Sequence, residues 1–225
     1  MNNPAPVLER IACVVCGDDD ARPWGRENGF QAVKCRRCGV VYVNPRPRLG
    51  SISEAARTGL HPTDEGELNV QARRSEAKVA VAKARGALVS QTLLSEVHER
   101  FDVVSLINVF SHIPDFRDFG AQLRERLNPG GHLFLETGNG GDLERRADYP
   151  DRLYLPDHLV FIGVEQMRRL LDDMGFDLVS SRSLTPSPVA RLKNVAKTVV
   201  DGRWQLLAAL NSPFRTVFYK AKLRD

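Results

Sequence analysis

Hydrophobic spacing changes period twice between Phe101 and Thr137, and each change predicts an element. Phe101-Asp-Val-Val-Ser-Leu-Ile-Asn108 is a short, β-branched apolar run, which predicts a strand buried on both faces of a parallel sheet. His112-Ile-Pro-Asp115 closes it. From Phe116 to Leu127 the apolar positions Phe116, Phe119, Leu123 and Leu127 recur at helical spacing, with Arg117, Asp118, Arg124, Glu125 and Arg126 on the opposite face. Asn128-Pro-Gly-Gly131 stops that helix, because proline cannot continue it and glycine accepts the left-handed conformation. His132 to Thr137 then supplies a second strand, so the unit is strand, helix, strand.

Further along, Val164 to Met174 has helical spacing, and Gly175 to Leu184 and Arg215 to Leu223 predict two more strands. Between those strands, Val189 to Asn211 is helical, with Val189, Leu192, Val195, Ala196 and Val199 on one face and Arg191, Lys193 and Lys197 on another. A basic amphipathic helix of this kind either packs its apolar side and leaves its charges solvated, or touches an anionic membrane surface or a phosphate-bearing substrate.

The amino-terminal part holds all four cysteines, in two knuckles, Cys13-Val-Val-Cys16-Gly17 and Cys35-Arg-Arg-Cys38-Gly39, with eighteen residues between them. Four thiolates so spaced match a tetrahedral structural zinc site, closed to substrate. The glycine after each second cysteine lets the chain fold back over the sulfurs. Asn28-Gly29 is a hairpin-turn pair, so the knuckles are expected to bracket short strands, a zinc ribbon. Two disulfides are the competing reading; a chain opening with no secretion signal is expected in the reducing cytoplasm, which favours zinc.

Composition narrows the classes. The chain has 225 residues, 42% hydrophobic and 27% charged, enough for one α/β domain and a small module. No apolar stretch is long enough to span a bilayer. The formal charge of +4 is unevenly placed: eight Lys or Arg against two Asp from Val189 to Asp225 make that tail +6 and the remainder −2. With the charge in the tail, and without interleaved aromatics or a dense basic stripe on the ribbon, a nucleic-acid partner is disfavoured.

The succession Phe101-Asp-Val-Val, Asn108-Val-x-x-His112-x-x-Asp115, helix, Leu127-x-Pro-Gly-Gly131 and a strand ending in Glu136-Thr137 resembles the second half of a class I S-adenosylmethionine-dependent methyltransferase. The likeness extends to Gly175-Phe-Asp-Leu-Val179 and implies that Arg215 to Leu223 is the last, antiparallel strand. With Cys38-Gly-Val-Val-Tyr-Val-Asn-Pro-Arg-Pro47 leading into it, the chain is similar to zinc-bearing methyltransferases of sugar and surface-glycan biosynthesis, including deoxysugar C-methyltransferases. The implied fold class is α/β: a small zinc ribbon over residues 1–48, then an incomplete Rossmann-like sheet over 49–225 carrying the basic helical insert 189–211.

The same resemblance assigns candidate residues. Gln91, Thr92 and Asn108 fall where the family meets its cofactor, S-adenosylmethionine, and His112 and His158 are the candidates for acid/base work. The loop Leu153-Tyr-Leu-Pro-Asp-His158-Leu-Val-Phe161 resembles a substrate lid. Two of the family's cofactor elements are missing from the sequence. Between Arg48 and Asn69 stand only the isolated Gly50, Gly59 and Gly66 where a glycine cluster belongs, and Arg73 stands near the place of the ribose-binding carboxylate. Val70 to Gly86 resembles the second strand and its helix, Leu88 to Thr92 the third strand, and Glu67 to Ala72 is a candidate substitute strand. Methyl transfer to a sugar, glycan precursor or small metabolite is the expected activity. A catalytically silent homologue that binds a partner or an acceptor is the alternative.

Overall fold

The computed structural model describes residues 7–50, 94, 97–185, 187–189, 192, 195–196 and 212–224. The chain divides into two compact units, Met1–Leu8 with Pro47–Glu99, and Glu9–Arg46 with Arg100–Asp225. In the first, the Arg48 amide donates to the Val7 carbonyl at 3.0 Å. The readings of Glu67 to Ala72, Val70 to Gly86 and Leu88 to Thr92, including Arg73, Gln91 and Thr92, lie outside the described residues.

The second unit begins with a hairpin, β1 (Ala21–Glu27) and β2 (Phe30–Cys35), followed by β3 (Val41–Val43). Asn28 and Gly29 carry it through φ values of 50° and 81°, the left-handed pair that a two-residue hairpin turn requires. The sheet that results is not complete in itself. Its order is β1-β2-β3-β6, where β6 is Val160–Phe161, far along the chain; Val41 pairs with Phe161 and Tyr42 with Val160. The apolar cluster beneath is shared in the same way: Trp24, Ala32, Val41 and Val43 from the hairpin sheet pack with Leu143, Tyr149, Leu153, Leu155 and Phe161. Each large side chain so buried contributes about 1.5–3 kcal/mol. The core beneath the hairpin sheet is therefore one that the segment 9–46 shares with the later chain.

The second sheet contains β4 (Phe101–Ile107), β5 (Leu127–Gly138), β7 (Phe176–Leu184) and β8 (Thr216–Leu223), in the order β4-β5-β8-β7. β4 and β5 are parallel, and β8 is antiparallel to both of its neighbours. Helix α1 (Phe116–Arg126) makes the crossover between the parallel pair, and α2 (Val164–Asp173) precedes β7. Asp115 caps α1, its carboxylate accepting from the amides of Arg117 at 2.9 Å and Asp118 at 3.1 Å. Phe116, Leu123 and Leu127 are buried, as the helical spacing predicts. Asn128 to Gly131 is not a free turn. It is a bulge inside β5: Phe101 pairs with Leu127, and the next pairing is Val103 with His132, while Asn128 donates to the Asp102 carboxylate at 2.8 Å.

One expectation is corrected. β4 is an edge strand of the described sheet, and Phe101, Val103 and Ile107 are 43%, 54% and 49% exposed, so it is not buried on both faces. Register puts Val103 and Ile107 on the same face as the exposed Phe134 and Phe218, while Leu133, Leu135, Val217, Tyr219 and Ala221 bury the other. An apolar run reports burial only if its neighbours cover it, and among the described residues no strand pairs with the outer edge of β4. At the tail, Val189 and Leu192 are exposed, so these two do not pack against the described chain.

The loop after β5 closes on α2 through glycine. A Cβ at Gly141 would stand 2.5 Å from the Gly163 nitrogen and 2.8 Å from the Phe161 oxygen, contacts with backbone that cannot swing away. Gly141→Ala is expected to cost about 1–3 kcal/mol through that overlap. A thermal melt with an unchanged midpoint would show that the loop runs elsewhere.

Candidate functional site

Folding brings the four cysteines into one cluster. Cys13 and Cys38 sulfurs lie 3.5 Å apart, Cys16 and Cys35 3.6 Å, and all four fall within 4.8 Å of one another. These are not disulfide distances, which are about 2.05 Å. Four sulfurs each about 2.3 Å from one ion would stand about 3.8 Å from one another. Gly17 and Gly39 have φ of 72° and 80°, and their amides turn back to the carbonyls of Cys13 and Cys35. Without a cation, the hydrogen bond shared with Cys38, reinforced by burial, pushes the Cys13 thiol well above the usual range. A cation at the centre reverses that balance, because a coordinating thiol gives up its proton. The cluster is tied to the later chain: the Gln166 side-chain amide donates to the Cys38 carbonyl at 2.6 Å, and the buried Lys34 ammonium donates to the carbonyls of Gly141 at 2.9 Å and Leu143 at 2.8 Å.

A second cluster forms at the carboxyl end of β4. The chain leaves that strand through Asn108, at φ 55°, and a 3-10 turn, Phe110–His112, held by the stack of Phe110 on Phe116 at 4.7 Å. In open α/β sheets this is the end at which ligands bind. His112 there meets the loop before β6: its Nδ1 lies 3.0 Å from the Asp157 carbonyl and 3.1 Å from the Asp157 carboxylate. Both partners are acceptors, so the proton belongs on Nδ1 and the free lone pair of the neutral ring on Nε2. His158 stands beside it, the ring centroids 4.8 Å apart. Its Nδ1 is buried with no hydrogen-bond partner.

The two imidazoles titrate apart. Burial pulls His112 down, but the hydrogen bond and charge of Asp157 outweigh it, and the net shift is upward from 6.5. His158 is pushed down to about 4 by burial and by the neighbouring His112, so it stays neutral at physiological pH. One ring that stays neutral and one poised above its ordinary value are groups suited to moving a proton.

The sequence singled out both histidines but not Asp157, whose adjacency to His158 was the available signal. Of the cofactor candidates, Asn108 is exposed at the end of β4, its amide donating to the Glu136 carbonyl at 3.2 Å, while Gln91 and Thr92 lie outside the described residues.

Known proteins are similar to parts of this chain. Ubiquinone biosynthesis O-methyltransferase of Methylobacterium nodulans is 31% identical over 139 residues, covering 61% of this chain and 53% of that protein. The enzyme of the same name from Rhizobium etli is 27% identical over 128 residues, covering 57% and 48%. The chain spans about half the length of these curated relatives. Among solved structures it is similar to coclaurine N-methyltransferase bound to N-methylheliamine and SAH, with TM-score 0.46 at 13% identity over 67% of this chain and 57% of that one. Geranyl diphosphate C-methyltransferase of Streptomyces coelicolor gives TM-score 0.45 at 13% identity over 59% and 52%. A family model described as a methyltransferase domain matches residues 24–181, from Trp24 in β1 through the histidine cluster and into β7, and by that match the chain belongs to this methyltransferase family.

Proposed function

We propose that this chain methylates a hydroxyl of a sugar or other small metabolite, with S-adenosylmethionine as donor and His112 as the base. The observation that carries the reading is the Asp157–His112 pair at the carboxyl end of a parallel strand, with the buried His158 beside it. Relatives named as O-methyltransferases support oxygen as the accepting atom. The donor, when bound, supplies an electrophilic methyl group. An oxygen nucleophile must lose its proton as it takes that methyl, and His112 Nε2 is the free lone pair that accepts it. Asp157 holds the ring's orientation and stabilises the imidazolium that forms. Aligning acceptor and methyl in a shielded site is the larger part of the work.

His112→Asn is expected to lower methyl transfer roughly 10²- to 10⁴-fold, measured with labelled S-adenosylmethionine at millimolar concentration and a panel of catechols and nucleotide sugars. The wild-type rate should climb with pH as His112 loses its proton, through a midpoint above 6.5. Asp157→Asn removes the charge that raises that midpoint, so the rising limb should move to lower pH. A limb that stays put in Asp157→Asn excludes His112 as the base. The second reading, a silent homologue, is favoured by the missing glycine cluster, and no transfer with any acceptor at saturating donor would establish it.

We propose further that the four cysteines hold one structural zinc, on the ground of their tetrahedron-like spacing and two glycine-turned knuckles.

A further inference from the structure

We infer that Glu27, at the tip of the β1–β2 hairpin, is a positioning residue for the His112–Asp157–His158 group, which it holds through the turn spanning 153–158. The catalytic meaning of this inference rests on the function proposed above; the positioning itself does not.

Both carboxylate oxygens of Glu27 are engaged on that turn: one accepts from the Leu153 amide at 2.9 Å and the other from the Tyr154 amide at 2.7 Å. The next residue of the hairpin adds a third tie, Asn28 donating to the Leu155 carbonyl at 2.8 Å. The turn needs such support. Tyr154 sits at φ 57°, a conformation an L-residue with a bulky side chain holds only where its surroundings over-determine it. Its carbonyl accepts from the His158 amide at 3.0 Å. Downstream, the Leu159 amide donates to the Ser111 carbonyl at 2.8 Å, and the Val43 amide to the Leu159 carbonyl at 2.9 Å. The segment presenting Asp157 and His158 to His112 is thus pinned at one end by Glu27 and Asn28 and at the other by β3. Charge-assisted bonds to backbone N–H groups are the stronger kind, and a carboxylate taking two from adjacent residues fixes a direction as well as a distance.

Titration separates positioning from simple charge. His112 is faced by Asp157 and His158, and His158 by His112, Asp157 and Glu27. The negative charge of Glu27 itself raises His158 slightly, so deleting only that charge should move His158 further down. Loss of the turn does the opposite: His158 leaves its buried place and rises toward the ordinary value, while His112 loses Asp157 and falls.

The experiment is an imidazole NMR titration of the full, metal-loaded chain, with neither donor nor acceptor added, for wild type, Glu27→Ala and Glu27→Gln. In Glu27→Ala the two midpoints are expected to converge, His158 moving up from about 4 and His112 moving down. Glu27→Gln keeps one accepting oxygen and should shift both in the same directions by less. If Glu27→Ala fails to melt cooperatively or to hold its metal, Glu27→Gln decides alone. Unmoved midpoints, or a fall of His158 with His112 unchanged, overturn the inference. Methyl transfer by Glu27→Ala should drop roughly 10²-fold, the size of effect that a small misplacement produces. Converged midpoints with undiminished transfer would leave Glu27 as the positioning residue and remove His112 from the chemistry.

Discussion

Stripping the metal from the four-cysteine site is expected to unfold the whole unit of Glu9–Arg46 with Arg100–Asp225, not only the knuckles. A structural zinc contributes about 10–16 kcal/mol at neutral pH, against a total stability of about 5–15 kcal/mol for a domain, so the rest of the unit cannot offset its loss. Local fraying is the ordinary outcome where a zinc module is self-contained. Here β3 pairs with β6, and Trp24, Val41 and Val43 share one core with Leu153, Leu155 and Phe161. Protein prepared without chelator should contain one equivalent of zinc. Chelator should then abolish the near-ultraviolet circular dichroism of Trp24 and the dispersed signals of the α1–α2 region together. Cys35→Ser should do the same without chelator. Substantially less than one equivalent of metal, or a chelated protein that keeps its α1–α2 signals, would refute the zinc assignment or its coupling to the fold. Reductant alone should change nothing, since the cysteines are free thiols in the structure.

Binding of S-adenosylmethionine is expected to be weak, about millimolar. Between Arg48 and Asn69 the sequence has only isolated glycines, and by the family resemblance Arg73 stands near the place of a ribose-binding carboxylate. Hydrogen bonds to charged groups contribute roughly 1.5–3 kcal/mol each, so losing two or three costs about 3–9 kcal/mol. A micromolar site holds only about 8 kcal/mol in all. Asn108, exposed at the end of β4, cannot make up that difference alone. Calorimetric titration should therefore give a dissociation constant near millimolar and little rise in melting temperature at micromolar ligand. A low-micromolar constant would mean that residues between Arg48 and Phe101 build a cofactor pocket of their own, and the missing-loop reading would be wrong.

The sequence by itself determined every element whose cause is local. The helical spacing of Phe116, Leu123 and Leu127, the hairpin-turn pair Asn28-Gly29, and the two C-x-x-C-G knuckles each carry their geometry within a few residues. The antiparallel sense of Arg215 to Leu223 also followed, from the family resemblance. What only the tertiary structure decided depends on residues far apart in the chain. Phe101 to Ile107 has the apolar composition of a doubly covered strand yet lies at the edge of the described sheet, because composition records what a strand tolerates and coverage is supplied by other segments. The histidines were legible as types. Their meeting, with Asp157 fixing the tautomer of one and burial keeping the other neutral, needed the loop at 153–158 to fold back on the turn at 110–112. The place of Glu27 was illegible for the same reason: it lies 126 and 127 residues from the amides it holds, and a carboxylate in a hairpin carries no local mark of a contact so distant.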